Sequence, residues 1–203
     1  MKLAPLAAKY LALAFIPCVS GVALAGLVVG STAPAKAKPA QVILMRHADK
    51  DRRRGDYNLS PAGLERAMRL SKIIPTCFGS PDRIFTYEFN LDSMKNARSY
   101  QSAVPLAVVT GINIDIVQSS MNHSELYGEQ VLGNKDYDGK KLVFFWEHRR
   151  LPFLAKGLGY DTMSPIGENQ FDLLVLLTYP EGSQKPRVKV MSQDELFTHD
   201  CKH

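Results

Sequence analysis

The chain predicts an α/β fold, a three-layer α/β/α sandwich around a mostly parallel central sheet. Three observations lead there. Two short apolar runs, Val42-Ile43-Leu44-Met45 and Lys141–Trp146 (KLVFFW), read as strands buried on both faces, the kind found at the centre of a parallel sheet. Strand-like and helix-like segments alternate through the rest of the chain, which is the pattern of βαβ units. Each apolar run ends abruptly in polar residues that include a histidine, Arg46-His47 and Glu147-His148. In open α/β sheets that carboxyl edge is where the binding crevice lies.

Residues 1–35 precede this pattern and read as an export signal or a membrane anchor. Lys2 and Lys9 make a positive start, and Tyr10–Val29 is almost wholly apolar and small. Ser31-Thr32-Ala33-Pro34-Ala35 and Ala35-Lys36-Ala37 both offer A-x-A-like cleavage sites. The apolar stretch approaches the length that spans a bilayer, so an uncleaved anchor with its N-terminus inside is the competing expectation. In both cases the domain that follows, 41–203, lies outside the cytoplasm, periplasmic or extracellular. Residues 36–40 are a linker.

Val42–Met45 is the first strand. Ser60-Pro61-Ala62-Gly63-Leu64-Glu65 opens a helix, with Ser60 as N-cap and Pro61 at the first helical position. Its apolar face is Leu64, Ala67, Met68 and Ile74, and Pro75 is expected to end it. Arg83–Tyr87 is a strand. Ser93 is placed to cap a helix through Arg98, Ala103 and Leu106 that stops near Gly111. Ile112–Val117 alternates as a strand, Ser124–Leu132 is a short helix, and Lys141–Trp146 is the second buried strand. Pro152–Leu158 is a helix stopped at Gly157/Gly159, and Phe171–Thr178 and Val188–Met191 close the sheet.

Composition narrows the function. In 203 residues, 45% hydrophobic content suffices for a normal core. The net charge of +5 includes Lys2 and Lys9, so the remainder is only mildly basic. Apart from Arg52-Arg53-Arg54, no basic run exists and none is interleaved with aromatics, so nucleic acid is not an expected partner. That triplet is a solvated loop or a means of attracting an anionic substrate. Of three cysteines, Cys18 lies in the N-terminal apolar run; Cys77 and Cys201 are left to pair in an exported chain or to stay as thiols. No Cys/His cluster suggests zinc, and no cofactor is called for.

The two histidines carry the chemistry. If the two buried strands are neighbours, His47 and His148 converge at one edge. A histidine serves as nucleophile or proton carrier near neutral pH, and an adjacent arginine grips an oxyanion through two nitrogens. Arg46 beside His47, with Arg98 on an intervening helix, makes a pocket for a phosphoryl dianion. For a single His the plainer reading is a satisfied side chain at a strand end; two with two arginines weigh against it.

Four motifs in order resemble the histidine phosphatase superfamily, which contains the phosphoglycerate mutases. VILMRHADK looks like its strand and Arg-His motif. Asn58-Leu59-Ser60-Pro61-Ala62-Gly63, followed by Arg66-Ala67, is similar to its L-[ST]-x-x-G segment. Ser93–Ala103 (SMKNARSYQSA) matches its S-x-x-x-x-R-x-x-Q-[ST]-A helix, and LVFFWEH its later strand and second histidine. The match is to the first branch of the superfamily and covers most of residues 41–180. Ala48 stands where a glycine is common, and Arg149 where a glycine often follows the second histidine.

The resemblance implies a phosphoglycerate mutase-like fold and a metal-independent phosphatase. His47 would attack phosphorus and form a phosphohistidine. Arg46, Arg98 and His148 would hold the non-bridging oxygens, and a glutamate would protonate the leaving oxygen. Glu125, at the opening of a helix, is the first candidate for that acid, with Glu129 second and Glu147 third. The implied partner is a small phosphate ester or a phosphorylated macromolecule, and a membrane only if the N-terminal segment stays attached. Two alternatives stand beside it: a non-catalytic phosphate- or phospho-ligand-binding domain on the same fold, and a phosphomutase. The mutase is disfavoured because an exported domain lacks ready access to cytoplasmic sugar phosphates.

Overall fold

The structure is a computed structural model that describes residues 38–51, 57–118, 123–181, 183, 185–199 and 201. The expected signal or anchor at 1–35, the first residues of the linker, and Arg52-Arg53-Arg54 lie outside the described residues.

The described elements are β1 (Gln41–Arg46), α1 (Pro61–Phe78), β2 (Arg83–Tyr87), α2 (Ala97–Thr110), β3 (Ile114–Val117), α3 (His123–Gly133), β4 (Lys141–Trp146), α4 (Leu151–Gly157), β5 (Leu173–Thr178), β6 (Arg187–Ser192) and α5 (Gln193–His199). Six strands form one sheet in the order β3-β2-β4-β1-β5-β6. All are parallel except β5, which runs against both of its neighbours.

Both faces of the central strands are apolar, as their continuous hydrophobic runs require. Val42, Leu44, Phe144 and Trp146 point to the side covered by α3 and α4. Ile43, Met45, Val143 and Phe145 point to the side covered by α1, α2 and α5. Strand alternation thus divides one run of sequence between two cores. β1 and β4 are parallel neighbours in register, Val42 opposite Leu142 and Arg46 opposite Trp146. Their polar ends therefore leave the sheet side by side.

Several local expectations need correction. Pro75 does not end α1, which continues one more turn to Phe78 and stops at Gly79, whose φ is positive at 82°. The proline forfeits its own bond to the carbonyl four residues earlier, but its carbonyl still accepts from the Gly79 amide, so the turn that follows it closes. Leu64 and Met68, expected on the buried face, are exposed; Gly63, Ala67, Leu70, Ser71 and Ile74 face inward. Ser93 does not cap α2. Its hydroxyl bonds Asn90 within a turn, and α2 starts at Ala97 after a left-handed Asn96. α5 was not foreseen: its seven residues follow β6 directly, too short a stretch to show helical period. Cys77 and Cys201 form a disulfide that joins the last turn of α1 to the tail after α5.

Candidate active site

The site is built where β1 and β4 end. His47 continues the ladder by donating its amide to the Trp146 carbonyl (3.3 Å). Its ring Nδ1 lies 2.7 Å from the Ala48 carbonyl. A carbonyl only accepts, so Nδ1 carries the proton and Nε2 is the nitrogen with a free lone pair. The Ala48 peptide is itself held, because its amide donates to Ser102 Oγ (2.9 Å) and Ser102 donates to the Arg98 carbonyl (2.7 Å). Burial, before all else, and the neighbouring charges of Arg46 and Arg98 push His47 down to about 3, against the opposing bond to Ala48. The ring is therefore neutral at physiological pH.

Arg46 is 1% exposed. Its Nη1 donates to the carbonyls of Gly167, Glu168 and Gln170 at 2.9, 3.1 and 3.1 Å, and its guanidinium sits 4.2 Å from the centre of the Phe171 ring. Nε and Nη2 are buried and meet no acceptor among the described residues. Burial lowers this arginine to about 10, which still leaves it charged.

Arg98 stands in the first turn of α2. Its Nε donates to the Asn58 carbonyl (2.8 Å), and Gln101 on the next turn pins the same segment through the Asn58 side chain and the Leu59 amide. That segment leads into α1, where Ser60 accepts from the Gly63 amide and donates to the Asp49 carbonyl. A Cβ on Gly63 would overlap that carbonyl oxygen, so the position demands glycine. The L-S-P-A-G motif is thus a strap that holds the loop after His47.

His148 leaves β4 beside His47; the ring centres are 6.4 Å apart at 89°. Its Nδ1 is 3.0 Å from Glu147 Oε1, near enough for charge pairing though not aligned as a hydrogen bond. Arg149 donates to the same carboxylate through its amide and Nε, both at 3.0 Å. Burial alone would raise Glu147, but His148 and Arg149 outweigh it and hold the carboxyl at about 2.

These groups wall a cavity of about 180 Å³ whose lining includes His47, Lys50, Tyr57, Lys95, Arg98, Ser99, Glu147, His148, Arg149 and Glu168. A larger opening of about 600 Å³ beside Ser60, Leu64 and Gln101 holds neither histidine.

A scan against protein-family models finds no match, and neither does a comparison with curated protein sequences. Solved structures do match. Phosphoglycerate mutase from Bacillus anthracis superposes with a TM-score of 0.54 at 10% identity, over 81% of this chain and 97% of that one. The protein histidine phosphatase SixA in complex with tungstate gives 0.53 at 13% identity, over 77% and 99%. A SixA protein from Agrobacterium tumefaciens gives 0.52 at 16%, over 76% and 98%. The chain has the phosphoglycerate mutase-like fold.

On that fold the structure brings His47, Arg98 and His148 to one cavity; Arg46, next to His47 in the chain, is buried and is not among the residues that line it. The structure does not bring Glu125 there. Ser124 bonds Trp146 Nε1 (3.1 Å) at the end of β4, but Glu125 turns away to Lys156 (2.8 Å), where α3 and α4 cross at Gly128 and Gly157. Glu129 is exposed on α3 outside the lining. Of the three glutamates expected from sequence, Glu147 alone lines the cavity. Glu168, Lys50, Lys95 and Ser99 line it too and were not singled out. Lys50, Lys95 and Ser99 lie inside the quoted motif segments, Lys95 and Ser99 at positions that the motif pattern leaves open. Glu168 comes from a loop 121 residues beyond His47 and lies in none of them.

Proposed function

We propose that the chain is a metal-independent phosphatase that hydrolyses a phosphate monoester through a phosphohistidine on His47, outside the cytoplasm. The observation that carries the reading is the His47 ring. Its Nδ1 proton is committed to Ala48, it is neutral, and it shares a cavity with Arg98 and His148. Nε2 attacks phosphorus in line while Arg46, Arg98 and His148 hold the non-bridging oxygens, where fixed positive charge favours the transition state. The P–O bond to the leaving group breaks and the departing oxygen takes its proton from solvent; water then attacks the phosphohistidine, the N–P bond breaks, and phosphate and the neutral imidazole are released. The tungstate complex of SixA, whose fold is similar, is in keeping with an oxyanion in such a cavity. Export is supported by the apolar segment before residue 36 and by the Cys77–Cys201 disulfide, since such bonds persist in oxidising compartments.

The test is hydrolysis of an aryl phosphate by the full chain with EDTA present, for wild type and His47→Ala. Turnover that resists EDTA and disappears in the variant supports the reading; turnover that survives the substitution refutes it.

One observation favours a second reading, a phosphate-binding domain without turnover. Among the described residues, the two carboxyls that line the cavity are poor acids. Glu147 is held ionised, and Glu168 is lowered by its pairing with Lys50 (3.1 Å). Trapping of a phosphohistidine after rapid quench separates the two.

A further inference from the structure

Ser99 lies one turn before Ser102 on the same face of α2. Residues three apart on a helix point the same way. Ser102 shows where that face looks, because its Oγ accepts the amide of Ala48 in the loop that orients His47. One turn nearer the N-terminus, Ser99 contributes to the wall of the cavity that holds His47, Arg98 and His148. The residue is 1% exposed, and its Oγ meets no hydrogen-bond partner among the described residues. Buried hydroxyls are almost always bonded, and an exception calls for an explanation. A serine in a helix can satisfy itself on a carbonyl of the preceding turn, as Ser102 does on Arg98; Ser99 does not. The two buried donors of Arg46, Nε and Nη2, likewise meet no acceptor among the described residues. α2 also opens without a side-chain cap at Asn96, so the positive end of its dipole is not neutralised from within.

We propose that Ser99 is a further phosphoryl-binding residue, its Oγ–H donating to a non-bridging oxygen of the group that His47 attacks. The role rests on the phosphatase reading for its chemistry but requires only that the cavity hold a phosphate. Arg98 supplies charge from the second residue of α2, and Ser99 supplies a short, rigid donor from the third. The hydroxyl forms and breaks no covalent bond; it fixes the orientation of the phosphoryl group.

The experiment is calorimetric titration of the full chain with inorganic phosphate, for wild type, Ser99→Ala and Ser99→Cys, with thermal midpoints measured alongside. Cysteine keeps the size and is a weak donor, so it serves if alanine fails to fold. A bond to a charged acceptor predicts phosphate binding weakened about 10- to 100-fold in either folded variant. Unchanged affinity in a folded variant overturns the proposal, and so does failure of the wild type to bind millimolar phosphate. Aryl phosphate hydrolysis by the same samples separates the two ideas. Phosphate binding that depends on Ser99 in a wild type without turnover overturns the phosphatase reading and leaves Ser99 in place. Turnover with no dependence of phosphate affinity on Ser99 does the reverse.

Discussion

His47 is surrounded by positive charge and largely removed from water, and both conditions disfavour its protonated form. Its 15N ring resonances should therefore report a neutral, Nδ1-protonated imidazole from pH 8 down to about 4; titration near the ordinary value of 6.5 would contradict the burial seen here. Arg46 is held for a different reason. One nitrogen ties three carbonyls of the loop 167–170, while two others are buried with no acceptor among the described residues. Arg46→Ala should weaken phosphate binding and also destabilise the chain by about 2 kcal/mol, since the charge-assisted bonds to three loop carbonyls are lost. Urea unfolding of the variant measures that cost, and a loss below about 1 kcal/mol would mean the loop does not depend on it. The four residues Arg46, His47, Arg98 and His148 were legible because each sits at a strand end or in a helix motif. The glutamate was not. Which way Glu125 points is decided by the crossing of α3 and α4, and a short helix pattern does not encode that.

At the scale of elements, α1 and α2 clamp the loop that follows His47. Ser60 and Gly63 meet Asp49 from one side, and Ser102 meets Ala48 from the other. Arg66 adds ion pairs at 2.7 Å both to Asp49 and to Asp194 of α5. Gly63→Ala forces the Asp49 carbonyl to move, which disturbs the peptide that sets the His47 tautomer. The expected outcome is a fall in kcat/KM of about 100-fold, the scale associated with a misplacement near 1 Å, with the helix content by circular dichroism unchanged. Wild-type activity in this variant would show that the strap is dispensable. The L-S-P-A-G motif was visible as a capped helix start, but its role as a strap appears only in three dimensions. Residues 49 and 63 are joined by a close approach that no local periodicity records.

For the molecule as a whole, two features set stability. The Cys77–Cys201 bond closes a loop of 124 residues, long enough that removing it should cost about 2–5 kcal/mol. Cys77→Ser, or wild type under a strong reductant, should show the loss in denaturant midpoint. The second feature is pH. His47 is depressed to about 3 from 6.5, so between those values the unfolded chain binds a proton that the folded chain refuses, and stability falls as pH drops through this window. Glu147 is depressed to about 2 from 4.5; its contribution is complete above 4.5 and is lost as pH falls through 2. Urea midpoints at pH 7, 5.5 and 4 should therefore decline, and His47→Asn should decline less over the same range. Equal slopes would remove His47 as the cause.

By itself, the sequence determined the sheet-and-helix alternation, the burial of two central strands on both faces, and the candidate groups Arg46, His47 and His148 at their ends and Arg98 in a helix motif. Each of these is written in residues near one another along the chain, as an unbroken apolar run or a short motif. Only the tertiary structure decided that β1 and β4 are neighbours, that β5 runs backwards, that Cys77 meets Cys201, and that Glu125 turns to Lys156 while Ser99 and Glu168 line the cavity. Those outcomes depend on which surfaces pack together across distant segments. Packing is settled by shape and register over the whole molecule, and hydrophobic pattern along one segment does not specify it.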